Sequence, residues 1–173
     1  MIFRSWKRAV RRHYNSTVGV SFHGSSTPHP NNYVGLDRAY SDAWGQPLGM
    51  ITFDFPHNDR LMARYITEKT MGIAQAMGGR SVLVSWLDDH YSIVPYQTTH
   101  NTGGAVMGAD PRTSVVNRYL QSWDLHNLFV MGSSVFPQNA GYNPTATVGA
   151  LTYWALDAIK NQYLRNPGPL VAT

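Results

Sequence analysis

Two polar residues in the C-terminal half of the sequence stand where chemistry can be done: His100, within "QTTHNTGGAVM", and Asn143, within "NAGYNPTATV". A histidine titrates near neutral pH, so it can take a proton from a substrate hydroxyl and return it. Gly103 and Gly104 follow His100, which suits a chain that must bring its backbone close to a ligand. Asn143 precedes Pro144 at what reads as a helix start. Two explanations fit it. As an N-cap, with proline in the first helical turn, it is worth about 1 kcal/mol against alanine and needs no ligand. As a functional residue it would share the helix end with an anionic group, such as a developing alkoxide, drawn there by the partial positive charge of the helix N-terminus.

Other chemistries lack the residues they need. The sequence has no cysteine, hence no disulfide, thiolate metal site, iron–sulfur ligation or cysteine nucleophile. His23 with His29, and Asp88, Asp89 and His90, match no helical or hairpin ligand spacing, so no metal site is expected. A serine hydrolase of the G-x-S-x-G type is excluded because that motif does not occur. Arg4, Lys7, Arg8, Arg11 and Arg12 form a basic run that nucleic acid or anionic lipid would attract. Without a nucleic-acid fold signature it reads as a solvated basic segment over 1–16, and no nucleic-acid partner is expected. No stretch reaches the apolar length of a membrane span, and the first residues lack the apolar core of a signal peptide.

The elements that must position His100 and Asn143 show in the surrounding pattern. Residues 17–23 alternate Val18, Val20 and Phe22 against Gly19, Ser21 and His23, the period of a half-buried strand. Pro28 and Pro30 separate it from a short strand, "YVGLD", and "LGMITFDF" at 48–55 is a third, so an antiparallel sheet is expected. A helix is expected over about 58–77, with Met62, Ile66, Ile73 and Met77 as core filler at helical spacing and Gly78 and Gly79 beyond its end. "SVLVSW" at 81–86 and "LFVMG" at 128–132 read as further strands. A long helix opens at Pro144 and ends before Asn166 and Pro167; Ala146, Gly149 and Ala150 give its first turns a small-residue face that a flat ligand or another backbone can approach. Strand, loop and helix in that order are an α/β texture. Only 14% of residues are charged, so the surface either relies on neutral polar side chains or is partly covered.

Taken together, "THNTGGAVMG" and "DPRTSVVNRYLQSWDLHNLFVMGSSVFPQNAGYNPTATVGALTYWALDAI" resemble the C-terminal signature of the glucose-methanol-choline (GMC) flavoprotein oxidoreductases, with "PHPNNYVGLD" and "GQPLGMITFDF" resembling the sheet segment before it. Within the family the sequence is most similar to large subunits of bacterial sugar and polyol dehydrogenases, the group of gluconate 2-dehydrogenase and FAD-dependent glucose dehydrogenase. The resemblance places His100 on the family's active-site histidine and Asn143 on its second catalytic position. Gly132 and Ser133 fall on the loop that meets the ribityl and phosphate region of FAD, and Asn143, Pro144 and Thr145 on the helix start that meets its ring. Many members carry Asp where this chain has Gly132, and "MGSS" replaces a more usual small-residue version.

The implied activity is oxidation of a sugar or polyol alcohol with hydride transfer to FAD and His100 as base. The implied fold is an incomplete GMC fold of α/β class: a basic segment 1–16, part of the substrate-binding domain with an antiparallel sheet and helix over 17–95, and the C-terminal part of the FAD-binding domain over 96–173. The strand, G-x-G-x-x-G and helix that bind the ADP half of FAD are not in the sequence, so the N-terminal Rossmann unit is expected to be missing and the chain alone to be inactive. The expected partners are the remainder of the oxidoreductase chain, a small subunit and a cytochrome c subunit, on the periplasmic side of the inner membrane. A non-catalytic interaction module, or one half of a split enzyme, is the alternative.

Overall fold

The structure is a computed structural model that describes residues 2–87, 90–92 and 99–172. Its elements run α1 (Ile2–His13), β1 (Tyr33–Ser41), β2 (Pro47–Thr52), α2 (His57–Ala76) and α3 (Thr145–Ala158). A 3-10 turn, Ser133–Val135, lies between α2 and α3, and a π-helical turn, Ile159–Tyr163, continues α3. The result is a mixed fold of helices and one small antiparallel sheet.

Asp42 builds the hairpin turn. Its carboxylate accepts the amides of Trp44 and Gln46, its own amide donates to the Gln46 carbonyl, and Gly45 takes a φ of 80° that a side chain would resist. From there β1 and β2 pair with Tyr33 opposite Thr52 and Leu36 opposite Gly49. Both faces of this ribbon carry exposed apolar side chains: Val34, Leu36 and Ile51 on one, Tyr33, Leu48 and Met50 on the other. Pro56 then separates sheet from helix, because it has no amide to give a ladder and its φ of −59° suits a helix entry. At the other end of α2, Gly78 adopts a φ of 82° and donates to the Gln75 carbonyl while the Gly79 amide reaches Ala74, a Schellman closure.

One carboxylate ties three segments together. Asp54 accepts Nδ1 of His90 at 2.7 Å, the amides of Phe55 and Tyr91 at 2.8 and 2.9 Å, and Nη2 of Arg60 at 3.3 Å. Its backbone exchanges two 2.9 Å bonds with the Asn32 side chain. The His90 bond first, then the two amides, hold its carboxyl well below the usual carboxylate range. Asp59, in the first turn of α2, is shifted the other way: it is buried, its Oδ1 has no hydrogen-bond partner among the described residues, and burial raises its pKa against the charge of His29.

The apolar core lies in the C-terminal half. Val116, Leu120, Val135, Phe136 and Ala155 are buried together, with Met107, Val130, Val148 and Leu151 packed around them. Leu120 is fully buried with a φ of 60°, uncommon for a side chain of that size, and its burial offsets the strain. Gln121, also buried, donates to the carbonyls of His126 and Gly168 and accepts the Leu170 amide, which fastens the C-terminal tail to the core.

Several expectations change on contact with the structure. The helix expected over 58–77 forms within one residue of those ends. Residues 17–23 do not form a strand: Val18 and Phe22 alternate as expected but are exposed, and the nearby pairing is a single bridge between Ser26 and Asn139. Residues 81–86 form no strand, and 128–132 contribute one bridge, Phe129 to Gln121. Alternation satisfies a strand only where a partner supplies the hydrogen bonds. The basic segment 1–16 is mostly the helix α1. The boundary expected at 95/96, and Asp88 and Asp89, lie outside the described residues.

The accessible surface is 13943 Å² for a 19.3 kDa chain. A compact monomer of that mass exposes about 8,500 Å². The exposed side chains include large apolar ones on the ribbon, α2 and α3, such as Ile51, Leu61, Tyr65 and Tyr153.

Because the Asp54 carboxyl is depressed in the folded chain, its contribution is complete above about pH 5 and fades as the pH falls from about 4, where the unfolded group protonates, toward the lower folded value. Hydrogen exchange at the Tyr91 amide should therefore stay slow at neutral pH, relative to the free-peptide rate, and lose protection progressively below about pH 4. Asp54→Asn should remove that pH dependence.

Candidate active site

His100 sits in a left-handed backbone conformation, φ 60°, which histidine tolerates better than most residues but which still costs energy. Its carbonyl accepts the Asn139 side-chain amide at 2.8 Å. Gly103 and Gly104 follow at φ 84° and 100°, conformations open to glycine. The segment then runs beside the 3-10 turn: the amides of Gly103, Ala105 and Met107 donate to the carbonyls of Ser133, Ser134 and Val135. The Ser133 hydroxyl returns a 2.8 Å bond to the Asn101 carbonyl. Glycine after His100 thus lets the loop turn and zip onto the residues before α3.

Asn139 is the junction. Besides holding His100, it exchanges backbone bonds with Ser26 at 2.9 and 3.0 Å, and its carbonyl also accepts the Ser25 hydroxyl at 2.7 Å. Two residues on, Gly141 has a φ of 65°, and a Cβ there would meet the backbone of His23, Gly24 and Ser25 at 3.0 to 3.1 Å. This close approach brings the His23 ring to 5.5 Å from that of His100, tilted by 56°.

Asn143 is exposed at the mouth of a cleft of about 340 Å³. Met107, Phe136, Tyr142, Pro144 and Leu151 line it with apolar surface, and Gln138, Asn143 and Thr147 add polar groups. The N-cap explanation for Asn143 fails. Pro144, at φ −85° and ψ −9°, occupies the cap position, since its carbonyl accepts the Val148 amide, and the leading amides of α3 receive no side-chain cap. Asn143 thus lies one residue before the cap position.

The residues singled out in the sequence fall into two groups. His100 and Ser133 share the zipped loop, with Gly132 just before it, while Asn143 and Pro144 line the cleft and Thr145 opens the exposed first turn of α3. His100 does not line the cleft; Asn139 joins the groups, bonded to His100 and four residues before Asn143. Asn139 was not singled out in the sequence, and His23 was weighed there with His29 as a metal ligand, not as a neighbour of His100.

The profile of the GMC oxidoreductase family matches residues 28–152. The chain belongs to the GMC oxidoreductase family. It is 49% identical over 168 residues to the gluconate 2-dehydrogenase flavoprotein of Pantoea cypripedii, covering 96% of this chain and 27% of that protein. It is 35% identical over 154 residues to the fructose dehydrogenase large subunit of Gluconobacter japonicus, covering 88% of this chain and 27% of the relative. Against the 2-methyl-1,2-propanediol dehydrogenase of Mycolicibacterium austroafricanum it is 29% identical over 160 residues, 92% of this chain and 28% of the relative. The chain spans about a quarter of the length of these curated relatives.

The family is generally FAD-dependent, and the local structure suits such a group. Gly132 takes φ 109° and ψ −174°, a conformation that excludes side chains, and no atom lies within 4 Å of where its Cβ would point. The start of α3 presents amides without a side-chain cap, and Gly149 likewise faces nothing within 4 Å. Open backbone at Gly132 and uncapped amides at a helix start are the features that an anionic group uses.

Asn139→Ala removes one hydrogen bond worth about 1 kcal/mol, so the Gly103 amide should exchange roughly fivefold faster with the fold otherwise kept. Asn139→Asp should exceed that loss, because a carboxylate oxygen would then face the His100 carbonyl with no proton between them.

Proposed function

We infer that this chain is the portion of an FAD-dependent sugar or polyol dehydrogenase that carries the proton acceptor and the oxygen-binding residue for oxidation of an alcohol. The observation that carries the reading is the Asn139 junction, which fixes a strained histidine loop and leads within four residues to Asn143 at the mouth of a cleft. His100 takes the hydroxyl proton. Asn143 donates its side-chain N–H to the same oxygen and stabilises the charge that develops there. FAD, when bound, supplies the acceptor for the hydride that leaves the alcohol carbon. Gly132 and Ser133 border the ribityl and phosphate region, and Asn143, Pro144 and Thr145 present the helix start to the ring edge.

The 173 residues contain no G-x-G-x-x-G, so on this reading the ADP half of FAD is held by the remainder of the oxidoreductase chain, and the 173 residues alone bind FAD weakly and are inactive. The large exposed apolar surface supports covering by further polypeptide. Sugar and polyol alcohols are favoured because relatives are named for gluconate, fructose and a propanediol. A small subunit and a cytochrome c subunit at the periplasmic face of the inner membrane complete the proposal, supported by the fructose relative being a large subunit.

The test is a chimera in which these residues replace the matching quarter of the Pantoea cypripedii flavoprotein. It should retain flavin and oxidise gluconate with a dye acceptor. In it, His100→Ala should lower kcat by about 10² to 10⁴ while the flavin absorbance stays. Unchanged kcat in His100→Ala would remove the base assignment. The 173-residue chain incubated with FAD should emerge colourless from gel filtration, and a retained flavin band would overturn the weak-binding claim.

A further inference from the structure

We propose that α1 is a docking surface for an anionic phospholipid bilayer, a reading independent of the redox assignment. From Ser5 to His13 every residue of α1 is exposed. At about 100° per residue, Trp6, Ala9, Val10 and His13 fall on one arc of the helix, and Lys7, Arg8, Arg11 and Arg12 fall on the opposite one. Trp6 is 62% exposed, and Tyr14, just past the helix end, 79%. No acidic residue precedes Asp37 in the sequence, so neither arc is paired with an acid from its own helix.

Charge separates this element from the rest of the protein. Residues 1–36 hold five of the fourteen basic side chains and none of the ten acidic ones, so the remainder is slightly acidic and the whole formal charge of +4 traces to α1. The C-terminal end of the helix is closed by the hydroxyls of Ser16 and Thr17 on the His13 carbonyl and by basic residues at the negative end of the helix dipole.

The two arcs select the occupant. Nucleic acid would use the basic arc and leave Trp6 and Val10 in water. A bilayer surface uses both, with the apolar arc entering the headgroup region and the basic arc meeting lipid phosphates. Twelve residues make a helix about 18 Å long, short of the roughly 30 Å hydrocarbon core, so α1 lies in the interface and does not cross it.

The experiment is co-sedimentation of the 173-residue chain with large vesicles of phosphatidylcholine, with and without about one third phosphatidylglycerol. Binding should require the anionic lipid and fall when salt rises from about 0.1 M to about 1 M, as the screening length shrinks from about 10 to about 3 Å. Arg8→Gln, Arg11→Gln and Arg12→Gln together should weaken it about a hundredfold. Trp6→Ser with Val10→Ser should weaken it at least about tenfold while the urea midpoint stays constant. Equal binding to neutral vesicles, or none to anionic ones, overturns the proposal. So does retention by a single-stranded oligonucleotide without vesicle binding, which assigns the basic arc to nucleic acid. A urea midpoint lowered by the Trp6 and Val10 substitutions with vesicle binding kept overturns it too, since the apolar arc would then pack on protein.

Discussion

The hydrogen bond from the Asn139 side chain to the His100 carbonyl is the constraint on which the candidate site depends. A histidine at positive φ returns to a relaxed conformation unless something fixes the peptide that follows it. Asn139 does so, and its own position is set by the Ser26 pairing and the Ser25 hydroxyl. The glycines on either side of the junction serve the same end. Gly103 and Gly104 let the loop zip onto the turn before α3, and Gly141 lets residues 23–25 lie against it. A side chain 39 positions away in sequence therefore decides where His100 stands.

Two kinds of stabilisation divide the chain. Residues 107 to 158 contain the buried apolar cluster, where burial of Val116, Leu120 and Val135 is worth roughly 1.5 to 3 kcal/mol each. The first half holds its shape mainly by polar anchors, Asp42 in the hairpin turn and Asp54 between sheet, helix and residues 90–91, while its apolar side chains stay exposed. A ribbon with two apolar faces is marginal by itself and belongs between other layers.

How much of this was legible in the sequence follows the range of the interaction. The limits of α2 could be read because Pro56 and the Gly78-Gly79 pair act locally, and so could the start of α3 from Pro144. The hairpin strands showed in the same way. Residues 17–23 misled because alternation states which faces differ but not whether a partner strand exists. Asn143 looked like a cap because Asn before Pro fits that role by composition; one residue of offset in the helix start removes it. Asn139 and His23 gain their importance from contacts across 39 and more than 70 positions, for which a single sequence carries no local signal. The family resemblance came through because His100, Gly132 and Asn143 lie in one continuous stretch.

The placement of the core also orders the events of folding. Its contacts join residues within about fifty positions of one another, whereas the Ser26–Asn139 pairing closes a loop of more than a hundred. Loop closure costs entropy that grows with the logarithm of length, and contacts distant in sequence form slowly. The C-terminal cluster can therefore assemble first, leaving Asn139 to be fixed when Ser26 pairs with it. The segment carrying His23 and Ser26 makes the longer-range contact, so the surroundings of His100 are completed only once that loop closes.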